Sequence, residues 1–153
     1  MYGTMISMAD ENKECIFCDI INGKLEGDIV FEDEYTIAIL DKKPVFHGHC
    51  LLMPKEHVET IMDASDDILE KLADNTKVLS IAVKNAMECD GILIINNNII
   101  SQSVPHIHFH IIPRRTGEVL TGFMWPRHPY KNKEETERTR DKIRDAVKDL
   151  KKA

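Results

Sequence analysis

Hydrophobic and polar positions divide this chain into short apolar runs and two longer helical stripes. Residues 15–22 read as a short helix or turn ending at Gly23, and Ile29–Glu32 and Thr36–Leu40 as two strands joined by a turn at Asp33 and Glu34. Asp41 to Gly48 is a loop carrying Pro44, and His49–Met53 is a short apolar strand expected to stop at Pro54. Ile68, Leu69, Leu72, Thr76, Leu79, Val83 and Ala86 recur at helical spacing as far as about Met87. Ser65 or Asp63 would cap this long helix, and Asp66 and Asp67 suit its positive end. Gly91–Ile95 is a buried strand, Asn96–Pro105 a polar loop, and His106–Ile112 a strand expected to close at Pro113. From Glu134 to Leu150 a narrow stripe of Ile143, Ala146, Val147 and Leu150 marks a charged surface helix. Three strands, a long helix and two strands predict an α+β fold with an antiparallel sheet, whose edges need protection or a second chain.

Composition narrows the classes. The 153 residues are 42% hydrophobic and 30% charged, ordinary for a chain that buries its own core. No run approaches the ~20 apolar residues of a membrane span. Met1 to Met8 hold no basic cluster or long apolar run, so no secretory signal is expected and residues 1–14 read as a flexible leader. Twenty basic residues against 26 acidic give a net charge of −6, which argues against nucleic acid as the partner. A small anion is still compatible, because a few amides and local cations can hold one phosphate. The four cysteines, at 15, 18, 50 and 89, are too few for a disulfide framework and fit a reduced, cytoplasmic protein.

The sharpest chemical signal is His106-Ile107-His108-Phe109-His110. On a strand, alternate side chains share a face, so three imidazoles roughly 6.6–6.8 Å apart would stand opposite Ile107, Phe109 and Ile111. Such a row can surround a small anion or a metal. A solvated polar face is the bland alternative, and a catalytic metal site the second one. No acidic residue lies between 91 and 117, which leaves an open metal site without a local carboxylate. The preceding loop offers neutral donors in Asn96, Gln102 and Ser103 that could line a phosphate pocket, although Asn and Ser are also ordinary turn residues.

Four segments in order resemble the histidine-triad (HIT) family: Cys15-Ile-Phe-Cys-Asp-Ile-Ile-Asn-Gly, Gly48-His49 with the strand to Pro54-Lys55, Gln102-Ser103-Val104, and His106 to Ile112. The likeness runs from residue 15 to about Trp125, leaving 126–153 as an extension with the charged helix. The resemblance implies a five-stranded antiparallel sheet with one long helix and short terminal helices, joined to a second copy as a continuous sheet. It implies a hydrolase that cleaves nucleotides at the α-phosphate. His108 would be the nucleophile, His110 would contact the phosphoryl oxygens or leaving group, and His49 and His106 would support them. Asn96, Gln102 and Ser103 would lie against the phosphate, and Asp41 against the ribose hydroxyls. Substrates would be purine nucleotides, either nucleoside phosphoramidates or dinucleoside polyphosphates, with Asp41 and the short loop favouring the former. His110 stands where a uridylyltransferase branch carries Gln, and Pro105 should delay the strand slightly.

Cys15 and Cys18 carry the spacing of a zinc knuckle but lack a second close pair. By the resemblance, His57 and His106 would complete a structural Cys2His2 zinc site, with no cofactor needed for catalysis. Cys50 and Cys89 read as core residues, Trp125 as a contributor to site, interface or core, and His47 and His128 have no role assigned. Two other functions stay open: a nucleotide-binding or scaffold protein with residual hydrolysis, and a zinc-dependent hydrolase using the triad as ligands.

Overall fold

The computed structural model describes residues 14–118 and 127–151. Trp125 and all of the expected leader except Glu14 lie outside the described residues. Contacts divide the chain into two units, residues 1–118 and 119–153.

The first unit runs α1 (Ile16–Ile21), β1 (Ile29–Glu32), β2 (Thr36–Leu40), β3 (Cys50–Pro54), α2 (Asp66–Ala86), β4 (Gly91–Ile95) and β5 (Phe109–Arg114). The strands form one antiparallel sheet in the order β1-β2-β3-β5-β4, so β5 lies inside and β1 and β4 are the edges. Ser65 caps α2, its hydroxyl accepting the Ile68 amide at 3.3 Å. The helix buries Leu72, Leu79 and Val83 against Ala38, Cys50, Leu52, Ile107 and Ile111 on one sheet face. At about 25 cal/mol per Å² of apolar surface, each such side chain contributes roughly 1.5–3 kcal/mol. The opposite face packs Ile37, Ile39, Leu51 and Met53 under Cys15, Phe17 and Ile20 of the α1 segment. Both faces of β2 and β3 are therefore covered, which is why they read as unbroken apolar runs rather than alternating ones.

The β1–β2 turn is made by Asp33, whose Oδ1 accepts the amides of Tyr35 (2.8 Å) and Thr36 (2.7 Å). Asn75 of α2 donates to Asp33 Oδ2 and Thr36 Oγ1, both at 2.8 Å, tying helix to turn. Gly48 sits at φ +96°, and a Cβ there would lie 2.6 Å from Met87 Cγ, so the bend into β3 requires glycine.

One of the two proline limits does not hold. Pro54 is the last residue of β3, opposite Thr36, as expected, whereas Pro113 lies inside β5, opposite Ile92, and that strand continues to Arg114. The β3–β5 ladder covers only Cys50–Leu52 against Phe109–Ile111, so neither proline is asked to donate across that seam. The same shortness moves the start of β5 to Phe109 instead of His106. Beyond Leu52 the chain parts from β3. The Ile107 amide donates instead to the Val58 carbonyl at 2.7 Å.

The second unit contains α3 (Lys133–Lys151), one residue longer at each end than its apolar stripe suggests. Asn132 Oδ1 accepts the Glu135 amide at 2.9 Å, and Glu135 accepts that of Lys131 at 2.7 Å, a reciprocal closure of the helix start. Ile143 and Leu150 are mostly exposed. Among the described residues, no helix is long and apolar enough to cross a membrane.

Candidate functional site

The triad survives the late start of β5 because alternation outlasts the ladder. Ile107 and Ile111 are fully buried beneath α2, and His106, His108 and His110 turn to the other face. Asn96, just after β4, takes over where the ladder ends, its amide donating to the His108 carbonyl at 2.9 Å. Asn98 in turn donates to Asn96 Oδ1 at 2.6 Å. His108 is thus held by side chains at a position where a ladder bond would otherwise be.

Backbone groups have fixed donor and acceptor roles, and they settle the histidine tautomers. His108 Nδ1 lies 2.7 Å from the His106 carbonyl, so it carries the proton and leaves Nε2 as a free base. His106 Nε2 lies 2.8 Å from the Pro54 carbonyl, so its Nδ1 is the unprotonated nitrogen. His49 Nδ1 accepts the Val45 amide at 3.1 Å, so His49 is protonated on Nε2. That proton goes to His110 Nδ1 at 2.9 Å, and His110 therefore keeps its own proton on Nε2. Asp41 Oδ2 lies farther from His49 Nε2, at 3.6 Å, and with His49 neutral the contact is not an ion pair.

Burial keeps all four imidazoles neutral. His110 is pushed down to about 4 by desolvation, then by its neighbours His108 and His49, against the pull of Asp41. His106 falls to about 4 by desolvation, its Pro54 bond opposing. His49 and His108 are lowered by desolvation too, with Asp41 acting against the shift in both.

His108 and His110 open onto a cavity of about 440 Å³. One wall is apolar, built by Ile16, Phe17, Ile20, Leu25 and Ile39; Asp41, Lys42, Lys43 and Ser103 supply polar groups. The apolar wall escaped sequence reasoning. Its signal was Ile16, a large hydrophobe 54% exposed on a helix whose neighbours are buried. Asp41 is oriented by the Lys43 amide, which donates to Oδ1 at 2.9 Å. Gln102 does not line this cavity. Its amide bridges the Glu59 carbonyl (2.6 Å) and the Ile99 amide (2.9 Å), tying down the loop in which Ile99 and Ser101 have φ of 70° and 60°.

A second cluster lies behind the triad. Cys15, Cys18, His57 and His106 present four donor atoms within 4.8 Å of one another. Cys15 Sγ and Cys18 Sγ stand 3.5 and 3.6 Å from His106 Nδ1, and His57 Nδ1 stands 3.3 Å from Cys18 Sγ and from His106 Nδ1. Zn–S and Zn–N bond lengths give tetrahedral edges of about 3.6 Å (S–N) and 3.3 Å (N–N), so the donors already stand at the corners of a zinc site. The unprotonated His106 Nδ1 is the ligand form. Without a cation, burial and Cys15 push the Cys18 thiol up to about 11, so that sulfur stays a thiol until a metal binds. Asp41, His49 and His110 form a second compact group. There, however, His49 Nε2 carries a proton as long as Val45 donates to Nδ1, which opposes a metal.

A match to the HIT domain model covers residues 22–117, more than half the chain. The chain belongs to the HIT domain family. It is 36% identical over 118 residues to the adenosine 5'-monophosphoramidase HNT1 of Candida albicans, spanning 73% of this chain and 78% of that protein. The crystal structure of a HIT family member from Bacillus subtilis superposes with a TM-score of 0.79 at 33% identity, over 87% of this chain and 96% of that one. A zinc-bound histidine triad family protein of Mycobacterium smegmatis superposes with a TM-score of 0.66 at 29% identity, over 80% and 88%. The five-stranded antiparallel sheet expected of a HIT chain is present.

Proposed function

We propose that this HIT protein hydrolyses purine nucleotides at the α-phosphate through a covalent nucleotidyl-histidine on His108. The observation that carries the reading is the 2.7 Å contact of His108 Nδ1 with the His106 carbonyl. It leaves the Nε2 lone pair free at a cavity large enough for a nucleotide. His108 Nε2 attacks phosphorus, an N–P bond forms, and the bond to the leaving group breaks. Water then attacks the same phosphorus, the N–P bond breaks, and AMP leaves with His108 restored. His110 offers its Nε2 proton to a phosphoryl oxygen or the leaving group, and His49 holds it in that tautomer. His106 supports His108 through its carbonyl.

Ser103 faces the phosphate, while Asp41 accepts from the ribose hydroxyls, and the wall of Ile16, Phe17 and Ile20 takes the base. Asn96 and Gln102 serve the phosphate pocket by shaping its loop and fixing His108. Cys15, Cys18, His57 and His106 bind zinc as a closed site. A bound zinc would hold Cys15 and Cys18 as thiolates, with His57 and His106 as its other ligands. The protein works in a reducing cytoplasm, in keeping with four free cysteines. It forms a homodimer through the open edge of β4, whose Ile94 is 46% exposed.

The similarity to a monophosphoramidase favours phosphoramidates over dinucleoside polyphosphates. Turnover of an adenosine phosphoramidate against a diadenosine polyphosphate tests this. Faster AMP release from the phosphoramidate is expected. Tight AMP binding with no turnover of either would make the protein a nucleotide binder instead.

A further inference from the structure

The Cys/His cluster and the nucleophile share more than a neighbourhood. The peptide between His106 and Ile107 is fixed from both ends. Its carbonyl accepts His108 Nδ1 at 2.7 Å, and its N–H donates to the Val58 carbonyl at 2.7 Å. His106 belongs to the cluster through Nδ1, and Val58 directly follows His57, another cluster residue. A metal joining His57 to His106 therefore joins the two segments that define this peptide plane. The third link is Phe17, between Cys15 and Cys18. Its ring meets His108 edge-on at 5.0 Å and 81°, and His106 at 5.9 Å and 79°. Phe17 rides on a six-residue helix, too short to hold its place alone, whose start is fixed by the Cys18 amide donating to Cys15 Sγ at 3.4 Å.

We propose that the Cys15–Cys18–His57–His106 cluster is a positioning element for the nucleophile, acting on the His108 ring through the His106 carbonyl and the Phe17 ring. A structural zinc that merely closes the N-terminal segment would leave His108 indifferent to metal. Here metal loading governs how firmly the imidazole is held with Nε2 toward the cavity. Phe17 is the positioning residue through which the cysteines act. The catalytic part of this inference rests on the reading of His108 as nucleophile.

The test compares the full chain loaded with one equivalent of zinc and the same protein after chelation. Long-range 1H–15N spectra at pH 7.5 read the His108 nitrogens directly, with His108→Gln assigning the signals. The loaded protein should give one sharp pair, Nδ1 protonated and Nε2 bare. Chelation should shift or broaden that pair, and the single-turnover rate of AMP transfer should fall about tenfold or more, while AMP affinity changes less than threefold. Phe17→Leu, loaded with zinc, should disturb the same His108 signals and lower kcat more than it raises KM. This variant carries the test if chelation unfolds the protein.

His108 signals identical in loaded, chelated and Phe17→Leu protein, all folded, would overturn the proposal. So would a Phe17→Leu effect confined to KM. The spectra are read without substrate, so failure of AMP transfer in the loaded protein would count against the hydrolase reading alone.

Discussion

His49→Ala tests whether a hydrogen-bond relay sets the proton inventory of the site. His49 is 3% exposed and links two groups, accepting the Val45 amide at 3.1 Å and facing His110 Nδ1 at 2.9 Å. Truncation leaves both partners without it. A buried unsatisfied group costs about 1–3 kcal/mol, and water entering from the adjoining cavity offsets part of that. A loss of about 3 kcal/mol is expected, lowering the melting temperature by roughly 6–12 °C for a chain of this size. The catalytic effect should be larger. Without the His49 proton, His110 can place its own proton on either nitrogen and is no longer committed as an Nε2 donor. General acid catalysis contributes about 10²–10⁴-fold, so kcat should fall by about a hundredfold or more while AMP affinity stays within threefold. His49→Gln retains an amide N–H that can reach His110 and should recover part of the loss. Stopped assays of AMP release, AMP titrations and thermal melts measure the three quantities. A His49→Ala enzyme with kcat within threefold of the parent would refute the relay.

Three further outcomes follow from the same geometry. One zinc per chain is expected by elemental analysis, and Cys15→Ser with Cys18→Ser should abolish it and lower thermal stability. In the chelated protein, stability should be full above about pH 7.5, decline from 6.5 toward 4 and level off below. The unfolded chain protonates His106 near 6.5, whereas the folded chain resists until about 4, worth about 3 kcal/mol, and His110, His49 and His108, lowered likewise, add to the loss that denaturant titration reads. Ile16→Glu, placing a charge on the exposed part of the apolar wall, should raise KM for an adenine nucleotide at least about tenfold with kcat little changed, as steady-state kinetics would show.

Local pattern made most of this fold legible, and its gaps have physical causes. Helix α2 was readable because six apolar residues and Thr76 share its stripe and Ser65 accepts from Ile68. The strands were readable as runs, but their ends were not, because a proline's effect depends on whether a neighbour asks for its N–H. At Pro54 and Pro113 none does across the β3–β5 seam, so β3 takes in Pro54 as its last residue and β5 runs one residue past Pro113. At the site, alternation marked the three histidines, yet the tautomers depend on carbonyls at Pro54 and His106 and on an amide at Val45. Such partners leave no trace in residue type. Asn96 and Gln102 were legible as polar loop residues, but not as the ties to His108 and Glu59 that they make. The apolar wall at Ile16 and Phe17 was hidden because its residues also look like ordinary core.

The proposed hydrolysis turns on a covalent bond between His108 and the nucleotide. Intact-mass analysis of the protein, acid-quenched within one turnover of an adenosine phosphoramidate, tests it most directly. A transient species heavier by one AMP moiety is expected in the parent protein and in His49→Gln, localised to the peptide containing His108, and absent from His108→Ala. Turnover with no such species at any quench time, or an adduct persisting in His108→Ala, would contradict it.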